Sequence, residues 1–143
     1  MRARDRDDVP PFAGARYGLK RGVVGIGRVQ GDKGARMLHR FAELPDGVFV
    51  WTRPGEDAYR LGRIAGPLSH DDSAAAQAVG IHHVRPVTWL ERTFRGHEVP
   101  PAVAATFARG GRNLQRTHDH EAERRTAELW DANAVKRSRR AGP

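Results

Sequence analysis

Apolar residues in this chain fall into short runs broken by glycine and proline, the pattern of a small protein built from brief strands and helices. Gly22-Val-Val-Gly-Ile-Gly-Arg-Val29 predicts a strand whose glycines allow close backbone approach. Ala35 to Leu44 places Leu38, Phe41 and Leu44 on one face, with Met37 nearby, and predicts a helix of three turns. Pro45-Asp46-Gly47 is a turn, and Val48-Phe-Val-Trp-Thr52 after it is a strand. A second turn at Pro54-Gly55-Glu56-Asp57 joins it to the alternating run Tyr59 to Ala65, which completes a hairpin ended by Gly66-Pro67.

The stretch from Ser69 to Gly80 reads as a loop or one short helix. Val84 to Phe94 is the next strand, which Pro86 restricts to an edge or a bulge. Pro100-Pro101 opens a helix that runs through Phe107 and stops at Gly110-Gly111. Residues 112–117 form a last short strand. Residues 119–135 are helical but weakly amphipathic, with Ala122, Leu129 and Trp130 as their large contacts. Charge interleaved with Pro10-Pro11 makes 1–16 a flexible arm, and 136–143 is a basic, disordered tail. No internal repeat is visible. The order predicts an α+β protein, a small curled mixed β-sheet or β-barrel flanked by short helices, with the folded domain spanning 17–118 and a C-terminal helix behind it.

Composition narrows the class. A chain of 143 residues, 38% hydrophobic and 29% charged, has material for one modest core. It carries 25 Lys and Arg against 17 Asp and Glu, a net charge of +8. Only Lys20, Lys33 and Lys136 are lysine; the other basic residues are arginine. A GC-rich coding sequence explains arginine over lysine, but not the surplus of base over acid, which points to a polyanion partner such as nucleic acid. With no cysteine, disulfides, thiolate metal sites and cysteine nucleophiles are excluded. No apolar run reaches the roughly 20 residues of a membrane span. The polar N-terminus has no signal-peptide core, so a cytoplasmic, nucleoid-associated monomer is expected.

Catalytic chemistry finds little support. His118 and His120 lie two apart on a predicted helix and face different sides, while His82 and His83 alternate across a strand, so no metal site is expected. Asp5, Asp7-Asp8 and Asp71-Asp72 read as solvated loops rather than a magnesium-holding nuclease centre. Gly22 to Gly27 lacks the G-x-G-x-x-G spacing of a dinucleotide site, and there is no phosphate-binding Walker loop. The expectation is a binding module with no catalytic residue, cofactor or metal.

The signal that remains is aromatic and basic. Trp51, Tyr59 and Trp89 lie on strands among Arg53, Arg63, Arg85 and Arg112, the combination needed to stack on an extruded base and hold its phosphates. Such stacking contributes about 1–3 kcal/mol per base. Trp89 is expected in the core. Trp51 fits a pocket or the core, and Tyr59 a pocket or the hairpin surface.

Gly47-Val-Phe-Val-Trp-Thr-Arg-Pro54, Tyr59-Arg-Leu-Gly-Arg-Ile-Ala-Gly-Pro67 and His83-Val-Arg-Pro-Val-Thr-Trp-Leu90 together resemble the PUA-like superfamily of modified-base readers, with the EVE and YTH domains as its nearest branches. Val99 to Arg109 and Arg112 to Thr117 are similar to a bacterial subgroup, so the resemblance spans about residues 20–118. It implies a barrel-like fold that holds a flipped, modified base in an aromatic or apolar cage. By position, the cage draws on Ile26 to Val29, on Trp51 and on Gly80-Ile81-His82. Arg28 stands where related chains often carry tryptophan, and Ile81 where YTH readers carry a cage aromatic; an aliphatic wall there suits a methyl group. The backbone of Gly25, Ile26 and Gly27 would read the base edge, and Tyr59 would complete the pocket. Arg53, Arg63, Arg85, Arg112 and Arg116 would grip phosphates.

The expected partner is therefore methylated double-stranded DNA, with 5-methylcytosine as the base. Modified or structured RNA, or service as the recognition part of a modification-dependent restriction system, stand as alternatives. So do an enzyme subunit and a generic basic domain with every tryptophan in its core. Burial of one methyl contributes about 0.8 kcal/mol, roughly fourfold in affinity. Phosphate contacts must supply most of the rest. Four of them give a salt slope of about −3.6.

Overall fold

The computed structural model describes Pro10 and residues 12–109, 113–115 and 119–141. The fold is α+β, with antiparallel strands, short flanking helices and a long C-terminal helix. Its elements are α1 (Ala13–Arg21), β1 (Val23–Ile26), α2 (Gly31–Glu43), β2 (Phe49–Gly55), β3 (Ala58–Ile64), β4 (Ser69–His70), α3 (Ala74–Ala78), β5 (His83–Trp89), α4 (Pro101–Ala108), β6 (Asn113–Gln115) and α5 (His120–Ala141). The strands follow the hydrogen-bonded order β1-β5-β3-β2-β6, with β4 also on β5. Packing divides the chain into two compact units, Met1–Val48 with Arg63–Thr88, and Phe49–Gly62 with Trp89–Pro143.

In the first unit, α1 begins inside the segment expected as a flexible arm. Its sequence, with two glycines, has poor helix propensity. Tertiary anchors select it instead. Tyr17 is buried and its hydroxyl donates to Asp71 Oδ2 at 2.6 Å. Gly22 then ends the helix in the left-handed region, φ 73°, with its N–H on Gly18 O. β1 pairs antiparallel with β5, Val23 opposite Pro86 and Ile26 opposite His83. β4 pairs with β5 as well, Ser69 opposite Val84 and His70 opposite His83. α3 resolves the expected loop or short helix as a helix, capped by the Ser73 hydroxyl accepting from Ala76 N–H at 3.1 Å.

Pro86 is not at an edge. β1 flanks it on one side, and its carbonyl accepts from Ala65 N–H at 2.8 Å on the other. Its missing donor faces Ala65 and Gly66, where β3 has already ended, so no ladder bond is lost. α2 starts at Gly31, four residues ahead of the expected 35, and buries Phe41.

In the second unit, β2 and β3 form the expected hairpin through Glu56-Asp57. β6 pairs with β2, Trp51 opposite Leu114. The core holds Trp51, Tyr59, Leu61, Leu90, Phe94, Val99, Val103 and Phe107, with Leu129 and Trp130 of α5 packed against it. The strand expected to reach Phe94 stops at Trp89. Phe94 instead returns alone to Tyr59, each accepting the other's N–H at 2.8 Å. α5 does not stop at 135: its backbone stays helical to Ala141, through residues expected as a disordered tail.

Gly18 gives this fold a sharp test. A Cβ there would lie 2.5 Å from Val23 O, which is backbone and has no room to give. Helix propensity alone predicts that Gly18→Ala stabilises by about 1 kcal/mol. The close approach of α1 to β1 predicts the opposite, a loss of about 1–3 kcal/mol from overpacking, readable by urea or thermal unfolding.

Candidate nucleic-acid interface

The first unit brings together two of the three segments that the resemblance places at the base cage, Ile26 to Val29 and Gly80-Ile81-His82; the third, Trp51, belongs to the second unit. The N–H of His82 donates to Ile26 O at 2.8 Å, so the lead-in to β5 lies against the end of β1. Gly25 makes this approach possible, because a Cβ there would lie 2.7 Å from Ile81 Cγ2 and 3.1 Å from His83 O. Ile26 and Gly27 are half-buried at this seam, and Arg28 is exposed just beyond them. Ile81 departs from its expected place on the pocket wall. It is 6% exposed and packs with Tyr17, Ala76 and Val84 in the core of the unit.

What surfaces at the seam is histidine. The antiparallel register puts His70 of β4 opposite His83 of β5, with His82 adjacent. The rings of His70 and His82 meet edge to face with centroids 4.0 Å apart, and those of His82 and His83 lie 4.8 Å apart. Nε2 of His70 and Nε2 of His82 are separated by 2.6 Å, so one ring donates to the other's lone pair. Loss of solvation lowers the pKa of both His82 and His83. Neighbouring histidines and Arg28 lower both further, while Asp72 partly opposes this at His82. Among the described residues no group of three or more His, Asp or Glu is arranged to hold a metal ion. The cluster instead offers flat imidazole faces, ring donors and acceptors, and one guanidinium. Groups of these types are able to stack on and hydrogen-bond to an unstacked base.

Several residues expected at the interface have other work. Trp51 is 2% exposed, its indole N–H donates to Thr126 Oγ1 at 3.1 Å, and Phe94 meets it edge-on at 5.6 Å. Tyr59 is buried edge-on against Phe107 at 5.7 Å. Both fill the core of the second unit and present no face to a base, and Trp89 is buried as expected. Arg85 is 3% exposed and cannot reach a phosphate. Its Nε donates to Gly66 O at 2.8 Å, Nη1 to Phe41 O at 2.9 Å and Leu44 O at 2.6 Å, and Nη2 to Asp46 Oδ1 at 3.0 Å. Arg63, half-buried, braces the preceding turn through Gly47 O at 2.8 Å. Arg53 closes the hairpin turn, with Nε and Nη2 on Glu56 O at 3.1 and 2.8 Å. Arg112 and Arg116 lie outside the described residues.

His70 was missed by sequence reasoning. The signal for it was the His82-His83 pair and a third histidine across one intervening short helix, but only strand register makes them neighbours. No family model, curated protein or solved structure matches the chain.

Two measurements check this geometry. Arg85→Met strands five acceptors, the carbonyls of Phe41, Ala42, Leu44 and Gly66 and the Asp46 carboxylate, and is expected to destabilise by about 2–4 kcal/mol in chemical denaturation. The lowered histidine pKa values fix the sign of a pH effect. Above the ordinary value of about 6.5 both folded and unfolded chains are neutral at these rings. Below it the unfolded chain takes up protons that the folded chain resists, so stability falls as the solution is acidified through that window. The expected Tm decrease between pH 8 and pH 5 is blunted in a His82→Gln/His83→Gln variant.

Proposed function

We propose that this protein binds duplex DNA and reads a methylated cytosine turned out of the helix. The observation that carries the reading is the seam held by the His82 N–H and Ile26 O, with Arg28, His70, His82 and His83 around it. It lies at two of the three segments to which the resemblance to PUA-like readers assigns the cage. In place of the expected tryptophan and tyrosine, imidazole and guanidinium planes stack on the base; both are established partners for unstacked bases. The chain's surplus of positive charge supplies affinity for phosphate. Among the described residues no helix is long and apolar enough to cross a membrane. On this reading the protein works beside the chromosome as a monomeric module without cofactor or catalysis, and serves a modification-sensing or restriction pathway.

The discrimination this site offers is modest. With Ile81 in the core, half-buried Ile26 is the apolar contact left to a methyl group at the seam, and burial of one methyl contributes about 0.8 kcal/mol, or about fourfold. Calorimetric titration with duplexes that differ only in cytosine methylation is expected to give that ratio. Arg28→Ala and His82→Ala are each expected to weaken binding and bring the ratio toward one. Equal affinity of the parent protein for both duplexes overturns the reading, and tighter binding to modified single-stranded RNA moves it to RNA.

A further inference from the structure

Of the arginines expected on phosphates, Arg53, Arg63 and Arg85 donate to backbone carbonyls of the protein and Arg112 and Arg116 lie outside the described residues, which leaves open what else among the described residues holds the DNA backbone. We propose that the exposed face of α2 does so, through Lys33, Arg36 and Arg40. This rests on the duplex-binding part of the function proposed above and replaces its phosphate contacts.

Residues 33, 36, 37 and 40 fall on one face at helical spacing. All four are exposed, and Met37 is the one large exposed hydrophobic side chain among the described residues, at 42%. The flanking face buries Phe41 and half-buries Leu38, so packing fixes which side of the helix meets solvent. Among the described residues Lys33, Arg36 and Arg40 make no ion pair and no side-chain hydrogen bond. The acidic residues of the same helix, Asp32 and Glu43, pair with none of them. Ala35, Arg36, His39 and Arg40 also line a shallow, open surface region of about 310 Å³.

Three unpaired cations on a rigid helix face fit a regularly spaced polyanion. From Lys33 to Arg40 the helix advances about 10 Å, which matches the rise of about three phosphates of one strand measured along the duplex axis. Placement relative to the base site follows from the chain itself. Arg28 lies three residues before α2, Gln30 O accepts the Gly34 N–H at 3.2 Å, and Gly34 sits so close to Val29 that a Cβ would lie 3.0 Å from it. The loop that leaves the seam therefore runs directly into the basic helix.

The test measures duplex affinity against salt for the parent, for Lys33→Gln/Arg36→Gln/Arg40→Gln, and for the control Arg95→Gln/Arg109→Gln/Arg125→Gln. The control carries the same charge change in the other unit. Each lost phosphate contact lowers the slope of log K against log salt by about 0.9, so the α2 variant is expected to lose about 2.7 of it. A fourfold rise in salt then weakens the variant about fortyfold less than the parent. Its ratio of methylated to unmethylated affinity is expected to stay that of the parent, and the control to keep the parental slope. An unchanged slope in the α2 variant, or an equal fall in the control, overturns the assignment. A parental methyl ratio of one together with the predicted slope change removes the base-reading function and leaves the helix assignment standing. Failure of the parent to bind duplex at 50 mM salt removes both.

Discussion

The buried guanidinium of Arg85 holds the first unit in register with itself. The last carbonyls of any helix lack partners within it, and here Phe41, Ala42 and Leu44 at the end of α2 present theirs to Nη1 of Arg85. The same side chain reaches Gly66 O beyond β3 and Asp46 in the turn after α2. A positive group at a helix C-terminus also meets the negative end of its dipole. Burying a charge costs several kcal/mol unless its donors are satisfied. Among the described residues no buried side-chain nitrogen or oxygen is left without a hydrogen bond. α2 thus hangs from β5 by one ion, and its outward basic face inherits that orientation.

Arginine's fork of donors accounts for several of the strand-borne arginines without phosphate recognition. Arg85, Arg63, Arg53 and Arg60 each donate to a backbone carbonyl at a turn or strand end, and Arg60 reaches Leu90 O through both Nε and Nη2. Arg92 lies over the face of Phe94 at 4.6 Å while pairing with Glu98. A lysine offers a single point charge and cannot make these two-pronged contacts. The net charge therefore overstates the binding surface, and much of the strand-borne arginine is scaffold. Among the described residues, α2 carries three exposed cations, Lys33, Arg36 and Arg40, without an ion pair.

Placement of the aromatic residues follows a similar logic. Trp51 offers a large apolar face and one donor, and the core satisfies both, with Phe94 at its edge and Thr126 on its N–H. Half-exposed His82 and His83 are less costly at a surface seam because imidazole keeps a polar edge toward water. Their mutual proximity favours the neutral forms, which present a lone pair and a donor rather than a repelling charge.

Strand and helix positions were legible because they rest on local rules. Alternation from Tyr59, the turn at Glu56-Asp57, proline at the start of α4 and the apolar spacing around Phe41 each act within one window of sequence. α1 and the end of α5 were not legible, since α1 depends on Tyr17 reaching Asp71, 54 residues away. The site was less legible still. His70 meets His83 through strand register, Trp51 is claimed by a threonine 75 residues later, and Arg85 is spent on the end of α2. By itself the sequence determined the α+β element order, the absence of thiol chemistry and the excess of positive charge. Only the tertiary structure decided which of those charges and rings face water. Local periodicity carries no information about partners brought in from distant segments, and those partners decide whether a side chain remains available to bind.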